Sequence, residues 1–163
     1  ERYGDLPLLE PLEYKEVWRL DTLAIAIDTS GSCDAKTVSA FLGQVYAILS
    51  NRENFFRRMQ VVLFQCDCCL QDTTFVTSRE QWLRYCEKLT ILGRGGTDYT
   101  PVFREIQRLR EEKKFPKPRA LLYFTDGDGV YPPKPDYETA FLLAGPHKNR
   151  ELVPKWASVL ELE

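Results

Sequence analysis

The chain has 163 residues, enough for one domain that buries about two-thirds of its unfolded surface without help from a disulfide or structural metal. Lys+Arg 22 against Asp+Glu 24 leave a formal net charge of −2, which excludes the basic field of a nucleic-acid or anionic-membrane binder. No stretch approaches the run of about 18 apolar residues that a membrane span needs, and nothing at the start resembles a signal peptide.

The chain opens on Glu1 rather than Met, so it is expected to be a fragment of a larger protein. Residues 1–17 mix Pro7 and Pro11 with scattered leucines and read as a linker or an arm, leaving 18–163 as the domain. About Thr22–Asp28 is an unbroken apolar run into an acid, the pattern of a strand buried on both faces. A helix is expected over about Asp34–Ser50, with Val38, Phe41, Leu42, Val45, Ile48 and Leu49 on one face. Met59–Cys66 and Leu70–Val76 read as strands. The gap between them is too short for a crossover, so they pair antiparallel at an edge.

Thr77-x-x-Glu80 and Ser78-x-x-Gln81 both fit a capping box, opening a helix with a core face of Trp82, Leu83, Cys86 and Leu89. Gly93, Gly95 and Gly96 mark a loop that needs unusual backbone angles or close approach. Thr100 as cap with Pro101 behind it starts the next helix, which runs to about Lys114 with Val102, Ile106 and Leu109 inward. Arg119–Thr125 is another apolar run ending in an acid, Asp126. The prolines of Val130–Glu138 argue against a helix there. Thr139–Ala144 and Ala157–Leu162 read as strands around a loop at Gly145–Pro154. Strands alternating with helices predict an α/β fold: a mostly parallel sheet, one antiparallel edge strand, and helices on both faces.

In an open α/β sheet, ligand sites lie beyond the carboxyl ends of the strands. Asp28, Ser30 and Ser32 follow the first strand, Asp126 follows a later one, and Thr97 precedes the helix leading back into it. Mg²⁺ wants about six oxygens. Two carboxylates, Asp28 and Asp126, balance its charge, and Ser30, Ser32 and Thr97 add neutral oxygens. A position left open would accept a carboxylate from another protein. Asp98 and Asp128 are candidates for water-mediated support. Asp67 also stands at a strand end but matches no motif position. Tyr99 and Tyr131 suit either the rim or the core.

The order Asp-x-Ser-x-Ser, then Thr97 in Gly-Gly-Thr-Asp, then Asp126 in Thr-Asp-Gly resembles the metal-ion-dependent adhesion site (MIDAS) of von Willebrand factor A (VWA) domains, over about Thr22–Leu162. The loop Gly95-Gly96-Thr97-Asp98-Tyr99-Thr100-Pro101 and the segment Val153-Pro154-Lys155-Trp156-Ala157 are similar to bacterial VWA-like domains. Those stand C-terminal to a zinc-metallopeptidase-like domain, encoded near MoxR-type AAA ATPases. The resemblance implies a Rossmann-like VWA fold and a cytoplasmic, non-enzymatic module binding Mg²⁺ or Mn²⁺. It also implies a protein partner that presents an Asp or Glu, such as a MoxR-type AAA ATPase or its client. One departure is the Pro-rich segment after Asp126, where larger adhesion domains carry a helix.

Other readings compete. Asp-x-Ser-x-Ser can simply cap a helix. Asp126-Gly127-Asp128-Gly129-Val130 partly resembles the first motif of haloacid-dehalogenase-type phosphatases, with Asp126 as nucleophile and Asp128 as acid. That motif normally opens its domain, and it leaves the upstream Asp-x-Ser-x-Ser unexplained. A serine hydrolase lacks the Gly-x-Ser-x-Gly elbow, with His147 as the lone candidate base. The run Cys66-x-Cys68-Cys69 lacks a second ligand pair for zinc and reads as ordinary thiols, as do Cys33 and Cys86.

Overall fold

A computed structural model describes residues 21–30, 34–50, 59–93, 95–145 and 148–161. The expected arm at residues 1–17, and with it Ser32, Cys33, Arg94 and His147, lies outside the described residues. The same holds for the side chains of Ile48 and Leu49.

The elements are β1 (Asp21–Asp28), α1 (Ala35–Ser50), β2 (Met59–Cys66), β3 (Leu70–Val76), α2 (Arg79–Glu87), α3 (Thr100–Glu111), β4 (Ala120–Thr125), β5 (Glu138–Leu143) and β6 (Ser158–Glu161). The six strands form one sheet in the order β3-β2-β1-β4-β5-β6. Only the β2–β3 pairing is antiparallel. The mostly parallel sheet with one antiparallel edge strand is therefore as the pattern predicts. From β1 the chain winds outward one way to β3, then returns to the other side of β1 with β4. That reversal opens a crevice between the carboxyl ends of β1 and β4.

Alternating residues of β1 feed two cores. Leu23, Ile25 and Ile27 join Val38, Phe41, Leu42 and Val45 of α1 and Trp82 of α2 on one face. Ala24 and Ala26 join Val102, Phe103, Ile106 and Leu109 of α3 on the other. The apolar run of β1 is thus buried on both sides, and helices cover both faces of the sheet.

Several local expectations shift or sharpen. Leu83 is 48 % exposed, while Trp82 is 1 % exposed. The face of α2 runs through Trp82, Tyr85 and Cys86, with Leu89 just past the helix packed on the same core, and Leu83 lies about 100° round the helix from Trp82. Of the two capping-box readings, Ser78 is the cap: its Oγ accepts the Gln81 N–H at 3.1 Å, and Gln81 Oε1 reaches back to the Thr77 N–H at 2.7 Å. Thr100 is the first residue of α3 rather than its cap: Tyr99 holds the cap position with no side-chain bond, and Asp98 Oδ1 accepts the Thr100 N–H at 2.9 Å just ahead of it. It also stops at Glu111, ahead of Pro116: Lys113 turns left-handed (φ 60°) and the Lys114 N–H closes on Leu109 O at 2.9 Å. The loop expected at Gly145–Pro154 includes a single 3-10 turn, Arg150–Leu152.

Candidate metal centre

Strand β1 delivers Asp28 to the crevice with no solvent exposure. Its Oδ1 accepts the Ser30 N–H at 2.8 Å, which folds the chain sharply after the strand and returns Ser30 toward the carboxylate. Its Oδ2 accepts the Thr125 hydroxyl at 2.5 Å from the end of β4. Thr125 Oγ1 also lies 2.8 Å from Tyr99 OH. Burial pushes the Asp28 carboxyl above the usual carboxylate range, against the bonds from Thr125 and Ser30; the charge of nearby Asp126 pushes the same way.

Asp126 follows Thr125 and is half-buried. Its Oδ1 accepts the Asp128 N–H at 3.0 Å, and its carbonyl accepts both the Asn149 N–H (2.9 Å) and Asn149 Nδ2 (3.1 Å). Tyr131 OH donates to Gly127 O at 2.6 Å and fixes the turn from below. Gly127 has φ +89°, so this turn suits glycine.

The glycine loop brings in Thr97. A Cβ on Gly129 would stand 2.6 Å from Thr97 Cγ2, so the bare glycine lets the Asp126 loop lie directly against Thr97. The Val130 N–H meets Thr97 O at 3.4 Å and the Tyr99 N–H meets Val130 O at 3.0 Å, zipping the two loops together. Three of the sequence segments singled out for chemistry therefore converge at one end of the sheet, with Asp28, Ser30, Thr97 and Asp126 on them. Ser32 lies outside the described residues.

Three supporting residues escaped the motif reading. Thr125 orients Asp28, and only its place beside Asp126 hinted at that. Asn149 carries no motif signal at all. Asp67, 4 % exposed, organises the glycine loop: its Oδ1 accepts the Cys69 N–H and Gln71 Nε2, each at 3.0 Å, and its Oδ2 accepts the Gly95 N–H at 2.9 Å. A Cβ on Gly93 would stand 2.6 Å from that Oδ2, and one on Gly95 2.9 Å away; these glycines let the loop wrap the carboxylate. Tyr99 proves to be core, wholly buried, with its hydroxyl turned to Thr125. Asp98 accepts the Thr100 N–H ahead of α3, and Asp128 is exposed at the rim.

Among the described residues, no three His, Cys, Asp or Glu side chains cluster in a form that could hold a metal ion. The donor set here is different, two carboxylates with hydroxyls, and it suits a hard divalent cation. A wholly buried carboxylate, destabilised in its charged form by burial and by a second acid, is a group that a cation would relieve. The residues therefore fit Mg²⁺ or Mn²⁺.

No curated protein matches the chain. Among solved structures, it is similar to BatB from Bacteroides thetaiotaomicron (TM-score 0.65, 10% identity, covering 88% of this chain and 90% of that one). It is also similar to an aerotolerance-related membrane protein from Bacteroides fragilis NCTC 9343 (TM-score 0.64, 11% identity, 88% and 92% covered). A third likeness is to the manganese-loaded TRAP protein of Plasmodium vivax (TM-score 0.56, 14% identity, 88% and 69% covered). At these identities the likeness is one of fold. The model of the VWA-like domain family DUF2201 matches residues 23–163, from the third residue of β1 onward. With that match spanning all six strands but the first two residues of β1, the chain belongs to the VWA-like domain (DUF2201) family.

Proposed function

We propose that this domain is a metal-dependent protein-binding module with a MIDAS-type centre. Asp28, Ser30, Ser32, Thr97 and Asp126 hold Mg²⁺ or Mn²⁺, and the partner supplies an Asp or Glu carboxylate. The observation that carries this reading is the buried Asp28 carboxylate at the end of β1, set beside Asp126 and bonded by Ser30 and Thr125. When bound, the cation supplies an electrophilic point for that outside carboxylate. The chain's own residues prepare the place. Thr125 and the Ser30 N–H fix both oxygens of Asp28, while Asn149 and Tyr131 hold the Asp126 turn. The manganese-loaded state of the TRAP protein lends support. The resemblance to bacterial VWA-like domains suggests a MoxR-type AAA ATPase or its client as partner, and a cytoplasmic setting. Among the described residues no helix is long and apolar enough to cross a membrane. The haloacid-dehalogenase-type alternative on Asp126 and Asp128 draws no support from the family match or the structural neighbours.

Isothermal titration of Mn²⁺ and Mg²⁺ into chelator-treated protein tests the reading, with a phosphomonoester turnover assay on the same samples. The expected result is one bound cation in the wild type, at least tenfold weaker binding in Asp28→Asn and Asp126→Ala, and no turnover. Absence of cation binding by folded wild type, or turnover abolished by Asp126→Ala, overturns it.

A further inference from the structure

The β2–β3 turn carries chemistry that the candidate metal centre does not use. The three cysteines that stand together in sequence separate in space. Cys66 is buried at the end of β2, its Sγ 3.4 Å from both Asp67 O and Asp98 O, and burial pushes its thiol up to about 12. Cys68 and Cys69 are exposed, and their sulfurs lie 3.7 Å apart.

Neighbouring side chains on an extended strand point to opposite faces. Here the turn sets them side by side. The Asp67 N–H closes on Cys69 O at 3.1 Å, the Cys69 N–H returns to Asp67 Oδ1 at 3.0 Å, and Gln71 Nε2 braces the same oxygen. The Gly95 N–H holds the other oxygen of that carboxylate. The pair is thus fixed from behind on a clamped turn, before any ligand arrives. Free cysteine is among the most buried of residue types, so two touching thiols in the open are an exception that needs a reason.

The spacing supplies one. A disulfide needs about 2.05 Å between sulfurs and a particular torsion, so this contact is well short of a bond. Two sulfurs each about 2.3 Å from one tetrahedral ion stand about 3.8 Å apart, close to the separation in this turn. We propose that Cys68 and Cys69 form a preorganised dithiolate site for a thiophilic cation of tetrahedral preference, separate from the Asp28 centre. Loading converts two thiols and one divalent cation into a bis-thiolate complex and two released protons, with no change of oxidation state. The remaining coordination positions fall to water or to a partner's side chains. Asp67 is not among the ligands, because its oxygens are already committed to N–H donors.

Cd²⁺ is the probe, because thiolate-to-cadmium charge transfer absorbs in the ultraviolet and carboxylate sites give no such band. Reduced protein in excess Mg²⁺ is titrated with Cd²⁺, following the band and proton release. The expected result is a band saturating at one cation per chain with two protons released. Either Cys68→Ser or Cys69→Ser weakens it at least tenfold, and Cys86→Ser leaves it unchanged. Saturation at one cation per two chains overturns the site, as does a band that survives both serine variants or one that Cys86→Ser abolishes. These outcomes do not involve the Asp28 site, so this proposal and the proposed function fail independently.

Discussion

Thr125 shows how much can rest on one hydroxyl. It donates to the buried Asp28 and meets the buried Tyr99 hydroxyl, so removing it takes a hydrogen bond from each of two buried polar groups. Thr125→Val should cost about 1–3 kcal/mol in urea unfolding and weaken Mn²⁺ binding, whereas Thr125→Ser should recover most of both. Trp82 and Leu83 make a plainer contrast. Trp82→Ala should cost about 3–5 kcal/mol, because it opens a cavity in the core against α1. Leu83→Ala, on an exposed side chain, should cost less than about 0.5 kcal/mol. Parallel denaturation curves check both.

At the scale of elements, the glycine loop is governed by a residue outside it. Burial alone would raise the Asp67 carboxyl, but bonds from Gln71, the Cys69 N–H and the Gly95 N–H outweigh burial and hold it below the usual carboxylate range. A depressed pKa stabilises the fold while the group is ionised, and that contribution drains away as pH falls through the depressed value. Wild-type urea midpoints should therefore drop below about pH 4, and Asp67→Asn should be less stable at neutral pH with a flatter acid limb. The same variant should loosen the loop bearing Thr97 and weaken Mn²⁺ binding. A double-mutant cycle with Thr97→Ala tests this: Asp67 acting through Thr97 gives non-additive losses.

The order of strands and helices was legible in the sequence because burial on two sheet faces writes continuous apolar runs, and one-sided helices write a three-four spacing. The convergence of the candidate-ligand segments was legible because short oxygen side chains cluster just past such runs. What stayed hidden was long-range: Asn149 bracing Asp126, Thr125 reaching across strands, and Asp67 gathering a loop that lies far along the chain. Such pairings depend on tertiary approach, which no local spacing records. Thr100 became the first helical residue rather than the cap for a local reason, as Asp98 accepts its N–H and turns the chain ahead of the helix.

For the whole molecule, the sheet order puts the candidate centre at its middle. Strand β1 is flanked by β2 and β4, all three parallel, with helices on both faces. A cation held there by both β1 and β4 segments should stabilise the entire domain. At a hundredfold excess over its dissociation constant, Mn²⁺ should add about 2.7 kcal/mol, read as a rise in melting temperature that chelator reverses. Asp28→Asn should remove that rise.

The Thr125–Asp28 bond joins residues 97 apart in the chain. Local pieces, the β2–β3 hairpin above all, close early at little entropic expense, whereas β4 finds β1 only after most of the chain has been gathered. The proposed centre is then assembled only by completed folding. A nascent or partly unfolded chain would carry every candidate ligand and yet lack the crevice that gathers them.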